Sequence, residues 1–133
     1  MFENKKSKSS WALQIGELRL DVVKASRPKL TLSKPGEDIK FEELQITMLD
    51  NAEPSTSHIV MTWLSEQIQD AQYSKAIILA MTNDKGDIIE KWEYEGVKIK
   101  YIDFGDLTIY DQEPITISMW LSYEQVILHN NDK

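Results

Sequence analysis

The most regular feature of the chain is a run of alternating apolar and polar residues near its C-terminal end. Across residues 115–123 every second residue is apolar, and Thr116, Ser118 and Trp120 fall between the apolar positions. Because successive side chains of a strand point to opposite faces, this alternation predicts a strand with one buried face. Trp120 is expected on the polar face of that strand.

Other segments show the same two-residue period or a dense apolar run, and they predict further strands. Turn-forming proline, glycine, asparagine and aspartate lie between them. The predicted strands are Leu18–Val22, Leu30–Leu32, Phe41–Leu49, Ser74–Met81, Ile88–Tyr94, Val97–Ile102 and Leu107–Tyr110. Within Val97–Ile102, the alternation places Tyr101 on the same face as Val97.

One segment has helical spacing. Ser55 or Ser57 can act as the N-cap, because a serine side chain accepts a hydrogen bond from a free backbone amide at the start of a helix. The helix is expected to end between Gln69 and Gln72. Apolar residues recur every three or four positions and predict a buried face made of Ile59, Val60, Trp63, Leu64 and Ile68.

These elements predict a mainly β fold. Seven or eight short strands and one helix, without alternation of strands and helices, favour an antiparallel β-sandwich or barrel with one flanking α-helix. A length of 133 residues fits one domain. We expect a flexible basic tail at residues 1–10, a single domain at residues 11–128 and a polar tail at residues 129–133.

Charge is unevenly divided along the chain. Residues 1–34 carry eight Lys or Arg and three acids, whereas residues 35–133 carry seven Lys and nineteen acids. This division favours self-association of a basic end with an acidic body, and a basic tail on an ordinary acidic domain is the alternative. A net charge of −7 disfavours conventional nucleic-acid binding, because that affinity comes largely from Lys and Arg that neutralise phosphates.

Several classes of site find no support in the composition. The chain has no cysteine, which excludes disulfides and thiolate chemistry. No apolar run is long enough for a membrane helix, and the N-terminus lacks the apolar stretch of a signal peptide. We therefore expect no membrane anchor, and synthesis in the cytoplasm.

Catalytic motifs are also missing from the sequence. The only histidines are His58 and His129, and neither belongs to a metal-ligand pattern. Acid pairs such as Glu42 and Glu43 can act as the two carboxylates of a glycoside hydrolase. They are equally typical of the solvent-exposed side of a strand or turn. We expect no enzyme activity, no cofactor and no metal. An outward tryptophan is enriched at interfaces, so Trp120 is a candidate contact.

The order of three segments resembles the tail tube proteins of contractile-tailed bacteriophages. Val22–Thr31 is similar to a strand followed by an R-P-x-L segment in that family. Phe41–Asn51 is similar to its F-x-x-L strand, and a helix with an internal Trp-Leu follows at the right distance. Trp92–Val126 is similar to its closing strands. The segment between Pro28 and Phe41 is shorter than in the family.

The resemblance implies a β-sandwich assembled as hexameric rings, which stack into the inner tube of a virion tail. Implied partners are other copies of the chain, sheath and baseplate proteins, and phage DNA that passes without specific binding. Alternatives with the same architecture are a tube–baseplate junction protein, a tube-terminating protein, or a tube protein of type VI secretion or a pyocin. A small carbohydrate-binding β-sandwich is the alternative from another class.

The resemblance also suggests two sets of site residues. Stacking of rings suggests contacts from the basic segment and the outward tryptophan, namely Arg27, Lys29, Lys34, Pro35, Gly36 and Trp120. A channel that does not hold DNA should be lined by acidic or small polar side chains. The candidates for that lining are Glu93, Glu95, Thr116 and Ser118.

Overall fold

A computed structural model describes residues 10–32, 34, 36, 39–53, 55–107 and 113–129. These residues form nine strands and one helix. In chain order the elements are β1 (Ser10–Ile15), β2 (Leu18–Ala25), β3 (Leu30–Thr31), β4 (Lys40–Phe41), β5 (Leu44–Leu49), α1 (Thr56–Gln69), β6 (Lys75–Thr82), β7 (Ile88–Asp103), β8 (Thr116–Ser122) and β9 (Gln125–Leu128).

Seven strands form one antiparallel sheet in the order β6-β1-β2-β5-β8-β7-β9. The sheet closes on itself because β6 also pairs with β7, so six strands make a barrel and β9 is added beside β7. The short strands β3 and β4 pair with each other and form a separate hairpin. The predicted mainly β class with one helix is confirmed for the described residues, and the architecture is a closed barrel.

The structure corrects the prediction of two strands at Ile88–Tyr94 and Val97–Ile102. These residues belong to the single strand β7, which continues through Gly96 with a φ of 67°. A glycine at positive φ changes the direction of a strand without ending it. The Glu124 backbone N–H donates to the Glu95 carbonyl at 2.9 Å, so pairing also continues across the bend.

The structure also corrects the single strand predicted at Phe41–Leu49, because these residues are divided between β4 and β5. Phe41 turns back to pair with Leu30 in the hairpin, and β5 starts only at Leu44. The two residues between, Glu42 and Glu43, are exposed and belong to neither strand, and the Glu42 N–H donates to the Lys29 carbonyl at 3.0 Å.

Two strands of the seven-stranded sheet, β1 and β9, are not predicted by the sequence. In β1 the neighbouring residues Ala12 and Leu13 are both buried, so apolar and polar residues do not alternate regularly along this strand. Strand β9 follows directly after Tyr123 and Glu124 and is only four residues long. The predicted strand Leu107–Tyr110 lies mostly outside the described residues, and Leu107 itself belongs to no strand.

Helix α1 begins and ends as predicted. Ser55 is the N-cap, and its Oγ accepts from the backbone N–H of His58 at 3.2 Å. Val60 and Trp63 are buried in the barrel core, which confirms most of the predicted apolar face. Ile68 is the exception, because 74% of its surface is exposed.

A cluster of aromatic rings fills the core beside the β3–β4 hairpin. Tyr123 lies edge-on to Tyr94 with 4.9 Å between ring centroids, and Phe41 lies 5.3 Å from Tyr123 on the other side. The hydroxyl groups of Tyr94 and Tyr123 are buried without a hydrogen-bond partner in the described part of the chain. Burial raises the pKa of both phenols, and the neighbouring Tyr123 adds to the effect on Tyr94.

We expect the Trp63→Ala substitution to lower the free energy of unfolding by about 3–5 kcal/mol, because it leaves a cavity in the core. Met61 on the same helix is 44% exposed. The Met61→Ala control should change stability by about 0.5 kcal/mol or less. Urea unfolding of both variants measures the difference, and a loss below about 1 kcal/mol for Trp63→Ala would show that its ring is not part of the core.

We expect stability to fall as the pH rises above about 10, the pKa of an unfolded tyrosine. In that range the unfolded chain releases a proton that folded Tyr94 retains, so the unfolded state is favoured. The Tyr94→Phe variant should keep its stability near neutral pH and lose part of this alkaline slope. Tyr101→Phe, at an exposed side chain, is the control. The free energy of unfolding is measured with urea at several pH values. An equal fall with rising pH in both variants would contradict the raised pKa of Tyr94.

Candidate assembly surfaces

Four strand segments form one continuous side of the barrel, which we call the four-stranded wall. It consists of Val22–Ala25 in β2, all of β5, all of β8 and Lys98–Asp103 in β7. The remaining side of the barrel is made by β1, β6 and the other parts of β2 and β7, with β9 paired beside β7.

Within the described residues, the four-stranded wall has an open edge on each side. Strand β1 pairs with β2 only as far as Val22. Within the described residues, Lys24 and Ala25 pair with β5 alone, and Val23 is a bulge before them. Strand β6 pairs with β7 only as far as Val97. Beyond that point β7 pairs with β8 alone within the described part of the chain. Open edges of this kind are templates for pairing with another chain.

The two edges run in opposite directions. All three pairings inside the wall are antiparallel, so β2 and β8 run one way and β5 and β7 run the other. If the β7 edge of one copy met the β2 edge of another, the new pairing would also be antiparallel. The wall could then continue from copy to copy as an antiparallel sheet.

Helix α1 covers the first part of the β7 edge. The side chain of Gln67 donates from Nε2 to the Ile99 carbonyl at 2.9 Å and accepts at Oε1 from the Ile99 N–H at 2.7 Å. Lys98 Nζ donates to the carbonyl of Ala71 just after the helix, at 3.0 Å. The part of this edge that lies beyond the helix contact is Lys100–Asp103.

The outer face of the four-stranded wall is mainly polar. Its side chains follow the strand register in rows, because directly opposite residues of an antiparallel pair share a face. In one row Thr47 Oγ1 lies 2.9 Å from Ser118 Oγ. The rows contain Lys24, Thr47, Ser118 and Asp103; Gln45, Trp120 and Tyr101; Leu49 and Thr116; and Ser122 and Lys98.

Tyr101 lies on the opposite face from the one predicted. The register of β7 against β8 shifts between Ile99 and Tyr101, which is a β-bulge at Lys100. One extra residue reverses the alternation, so Tyr101 points outward while Ile99 remains buried. Its ring lies 4.8 Å from that of Trp120, and the two make an aromatic pair on the outer face.

The residues predicted to line a channel do not share one surface. Thr116 and Ser118 lie on the outer face of the four-stranded wall. Glu93 and Glu95 belong to the first half of β7, which pairs with β9 outside this wall. Glu93 is also engaged within the chain, since its carboxylate lies 2.7 Å from Nε2 of His129.

The β3–β4 hairpin, which we call the arm, leaves the barrel where β2 ends and β5 begins. Its apolar side chains Leu30, Leu32 and Ile39 are 53%, 63% and 47% exposed. The candidate contacts Lys29, Lys34 and Gly36 are exposed on the same arm, and Pro35 lies outside the described residues.

Arg27 joins the base of the arm to the barrel. Its guanidinium donates two hydrogen bonds of 2.9 Å to the carboxylate of Glu90. The Trp92 indole N–H donates to the same carboxylate, whose side chain is 1% exposed. Removal of one partner would leave the buried charge with fewer compensating contacts, so Arg27 has a structural role besides any contact between subunits.

At the other end of the barrel, helix α1 and the β1–β2 turn enclose a pocket, which we call the cap pocket. Its volume is about 270 Å³, and it opens to the surface. The lining residues are Ile15, Leu18, His58, Ile59, Thr62, Trp63, Glu66 and Lys75. Residues 50–70, which contain the helix, carry four acids and no Lys or Arg.

The arm and the cap pocket lie at opposite ends of the same strand. Leu18 at the start of β2 lines the pocket, and Ala25 at its end leads to the arm. Eight residues of extended strand place these ends about 23 Å apart. The length of β2 therefore separates the arm from the pocket of its own barrel, whereas a second copy placed end to end could present its arm there.

The described residues contain no cluster of three or more acidic or histidine side chains placed to hold a metal. His58 is exposed on the first turn of α1, and its backbone N–H is used in the helix cap. No helix in the described part of the chain has the length and hydropathy required to cross a membrane.

No protein-family model and no curated protein sequence matches this chain. Solved structures do match it in fold. Hcp1 from Flavobacterium johnsoniae superposes with a TM-score of 0.69 at 11% identity, over 90% of this chain and 94% of the other. Hcp1 from Salmonella typhimurium gives a TM-score of 0.67 at 12% identity, over 88% and 83%.

A third similar structure comes from a contractile assembly. The sheath/tube terminator of the extracellular contractile injection system PVC gives a TM-score of 0.65 at 14% identity, over 98% of this chain and 100% of the other. At such low identities the agreement concerns the fold. The resemblance drawn from the sequence is confirmed at that level: this chain has the fold of Hcp1 and of tube and terminator proteins of contractile injection systems.

Proposed function

We propose that this protein is a structural subunit of the inner tube of a contractile tail or injection system, without catalytic activity. Copies form hexameric rings, and the rings stack into a tube. The observation that carries this proposal is the pair of open, oppositely directed edges on one four-stranded wall. The fold shared with tube and terminator proteins supports it.

Edge pairing makes the contact between neighbours heterologous, because the β2 edge of one copy meets the β7 edge of the next. A heterologous contact gives a closed ring when the rotation between copies divides a full turn. Six copies with four strands each make a wall of about 24 strands. At about 4.8 Å per strand its backbone diameter is at least about 37 Å, which leaves an open channel.

The outer face of the four-stranded wall then lines the channel. The buried residues of β5 and β8 point into the body of the barrel, and this body fits outside a ring of joined walls but not inside it. Thr116 and Ser118 are therefore retained as channel-lining residues. Glu93 and Glu95 are not, because they lie outside the wall.

The proposed lining has few charges for its area. Among the residues in the rows described above, only Lys24, Lys98 and Asp103 are charged. The other side chains are small polar groups, the amide of Gln45, the aromatic pair and the apolar Leu49. A lining of this kind holds few phosphates, so DNA or another cargo would pass without specific binding.

Stacking of rings follows from the separation of the arm and the cap pocket. The arm exposes apolar side chains at one end of the barrel, and the pocket offers an apolar recess at the other. Residues 27–41 carry four Lys or Arg and two acids, whereas residues 50–70 are purely acidic in their charged side chains. Charge and shape therefore both favour a head-to-tail contact between rings.

A second candidate function is that of a tube terminator. The chain and the sheath/tube terminator of the PVC system cover each other almost completely, over 98% and 100% of their lengths. The arm is also short, with two paired residues in each strand. In either role we propose the virion or particle tail as the location, and sheath and baseplate proteins as partners.

The Val23→Lys substitution tests the ring. Val23 is 56% exposed on the open β2 edge, and an added edge lysine opposes strand pairing. We expect the monomer to remain folded and the concentration needed for ring formation to rise roughly tenfold or more. Ile68→Lys, at a helix residue that is 74% exposed, is the matched control.

Analytical ultracentrifugation and electron microscopy measure this effect. The Ile68→Lys variant should form the same rings as the unchanged protein. Rings of unchanged size and affinity in the Val23→Lys variant would contradict edge pairing through β2. A chain that stays monomeric at high concentration without any substitution would contradict the proposed function itself.

The Leu32→Ser substitution tests stacking. It removes an exposed apolar side chain from the arm, and we expect rings to form normally while tubes become shorter or absent. Leu107→Ser is the control, because Leu107 is 77% exposed but lies outside the arm. Tube lengths in electron micrographs give the result. Rings of the unchanged protein that never stack would favour the terminator over the tube subunit.

A further inference from the structure

We propose that Gln67 is a register stop for the contact between neighbouring copies, a role that rests on the proposed ring. Its side-chain amide occupies the edge position that an incoming strand would otherwise use. By closing that position, Gln67 limits pairing to the end of β7 and keeps all contacts around the ring in the same register.

The geometry of Gln67 imitates a paired strand residue. A residue on a neighbouring antiparallel strand donates one hydrogen bond and accepts one from the residue opposite. The amide of Gln67 makes the same two bonds with Ile99, at 2.9 Å and 2.7 Å. Both polar backbone groups of Ile99 are therefore satisfied by the protein's own helix and cannot join a second chain.

The effect is to match the lengths of the two open edges. Without the amide, the open edge of β7 would extend over Lys98–Asp103, six residues. With Ile99 occupied, four residues remain at Lys100–Asp103. The opposing edge of β2 has three residues, Val23–Ala25. A short edge meeting a long one can pair in more than one register, whereas edges of similar length have far fewer choices.

A register error has a definite geometric consequence. A slip by two residues keeps every side chain on its own face, so the hydrophobic pattern does not forbid it. It displaces one copy by about 7 Å along the strand relative to its neighbour. Repeated around the assembly, this displacement prevents closure and produces an open helix instead of a flat ring.

Helix attachment alone does not account for this arrangement. The helix is already held by the buried side chains of Val60 and Trp63, and Lys98 binds the chain just beyond its end. Attachment would need only one hydrogen bond at any accessible group. Gln67 instead satisfies both groups of a single residue, at the position where β6 has just left β7.

The test compares Gln67→Met with Gln69→Met in the full chain. Methionine retains the length and helix propensity of glutamine but cannot make either hydrogen bond. Gln69 is exposed on the same helix and is the matched control. Electron microscopy and native mass spectrometry count closed rings, and hydrogen exchange follows the Ile99 amide in the monomer.

We expect Gln67→Met to unfold at a urea concentration close to that of the control. Exchange of the Ile99 amide should become about fivefold to tenfold faster, as expected for the loss of one hydrogen bond. Closed rings should fall below about half of the assemblies, with open spirals or mixed sizes in their place. The Gln69→Met variant should retain closed rings.

Three outcomes separate this proposal from the proposed function. Closed and uniform rings from Gln67→Met overturn the register stop and leave the tube function intact. An unchanged protein that forms no rings overturns both. If Gln67→Met does not fold, Gln67→Glu replaces it: the carboxylate still accepts from Ile99 N–H but cannot donate to its carbonyl, and rings as uniform as those of the unchanged protein overturn the proposal.

Discussion

The long strand β7 is the element on which the rest of the structure depends. Sixteen residues are too many for one side of a small barrel, so β7 serves two sides and changes direction at Gly96. A Cβ atom there would lie 2.8–2.9 Å from three side-chain carbons of Glu124, and the positive φ would strain any other residue. The first half of β7 closes the barrel with β6, and the second half completes the four-stranded wall with β8.

Closure of the barrel and openness of its wall have the same origin. Strand β6 follows β7 only to Val97, and β1 follows β2 only to Val22. The barrel closes through these pairings, and the segments beyond them retain one unpaired edge each within the described residues. Helix α1 covers the backbone groups of Ile99, near the start of the open β7 edge. Both open edges are therefore short. The pairings that close the monomer therefore also produce the two edges at which we propose that another copy attaches.

Alternation and capping identify most of the fold in advance, because they depend on local chemistry. The period of residues 115–123 corresponds to β8, and Ser55, one of the two predicted N-caps, begins the helix. The split of Phe41–Leu49 and the continuity of β7 depend on which distant segments pair, which local patterns do not encode. The bulge at Lys100 is a further example, since one inserted residue moves Tyr101 to the outer face. The open edges could not be predicted either, because an edge exists only relative to the strands that stop short of it.

The uneven charge noted in the sequence has a spatial counterpart in the fold. Residues 27–41, which contain the arm, carry four Lys or Arg at one end of the barrel, and the acidic helix segment, residues 50–70, lies at the other. Because β2 separates them, these charges cannot neutralise each other within one copy. They can do so between copies arranged end to end, and such an arrangement has one polarity along the axis. In the proposed tube, edge pairing would join copies around the ring, and the separated charges would select which end of one ring meets the next.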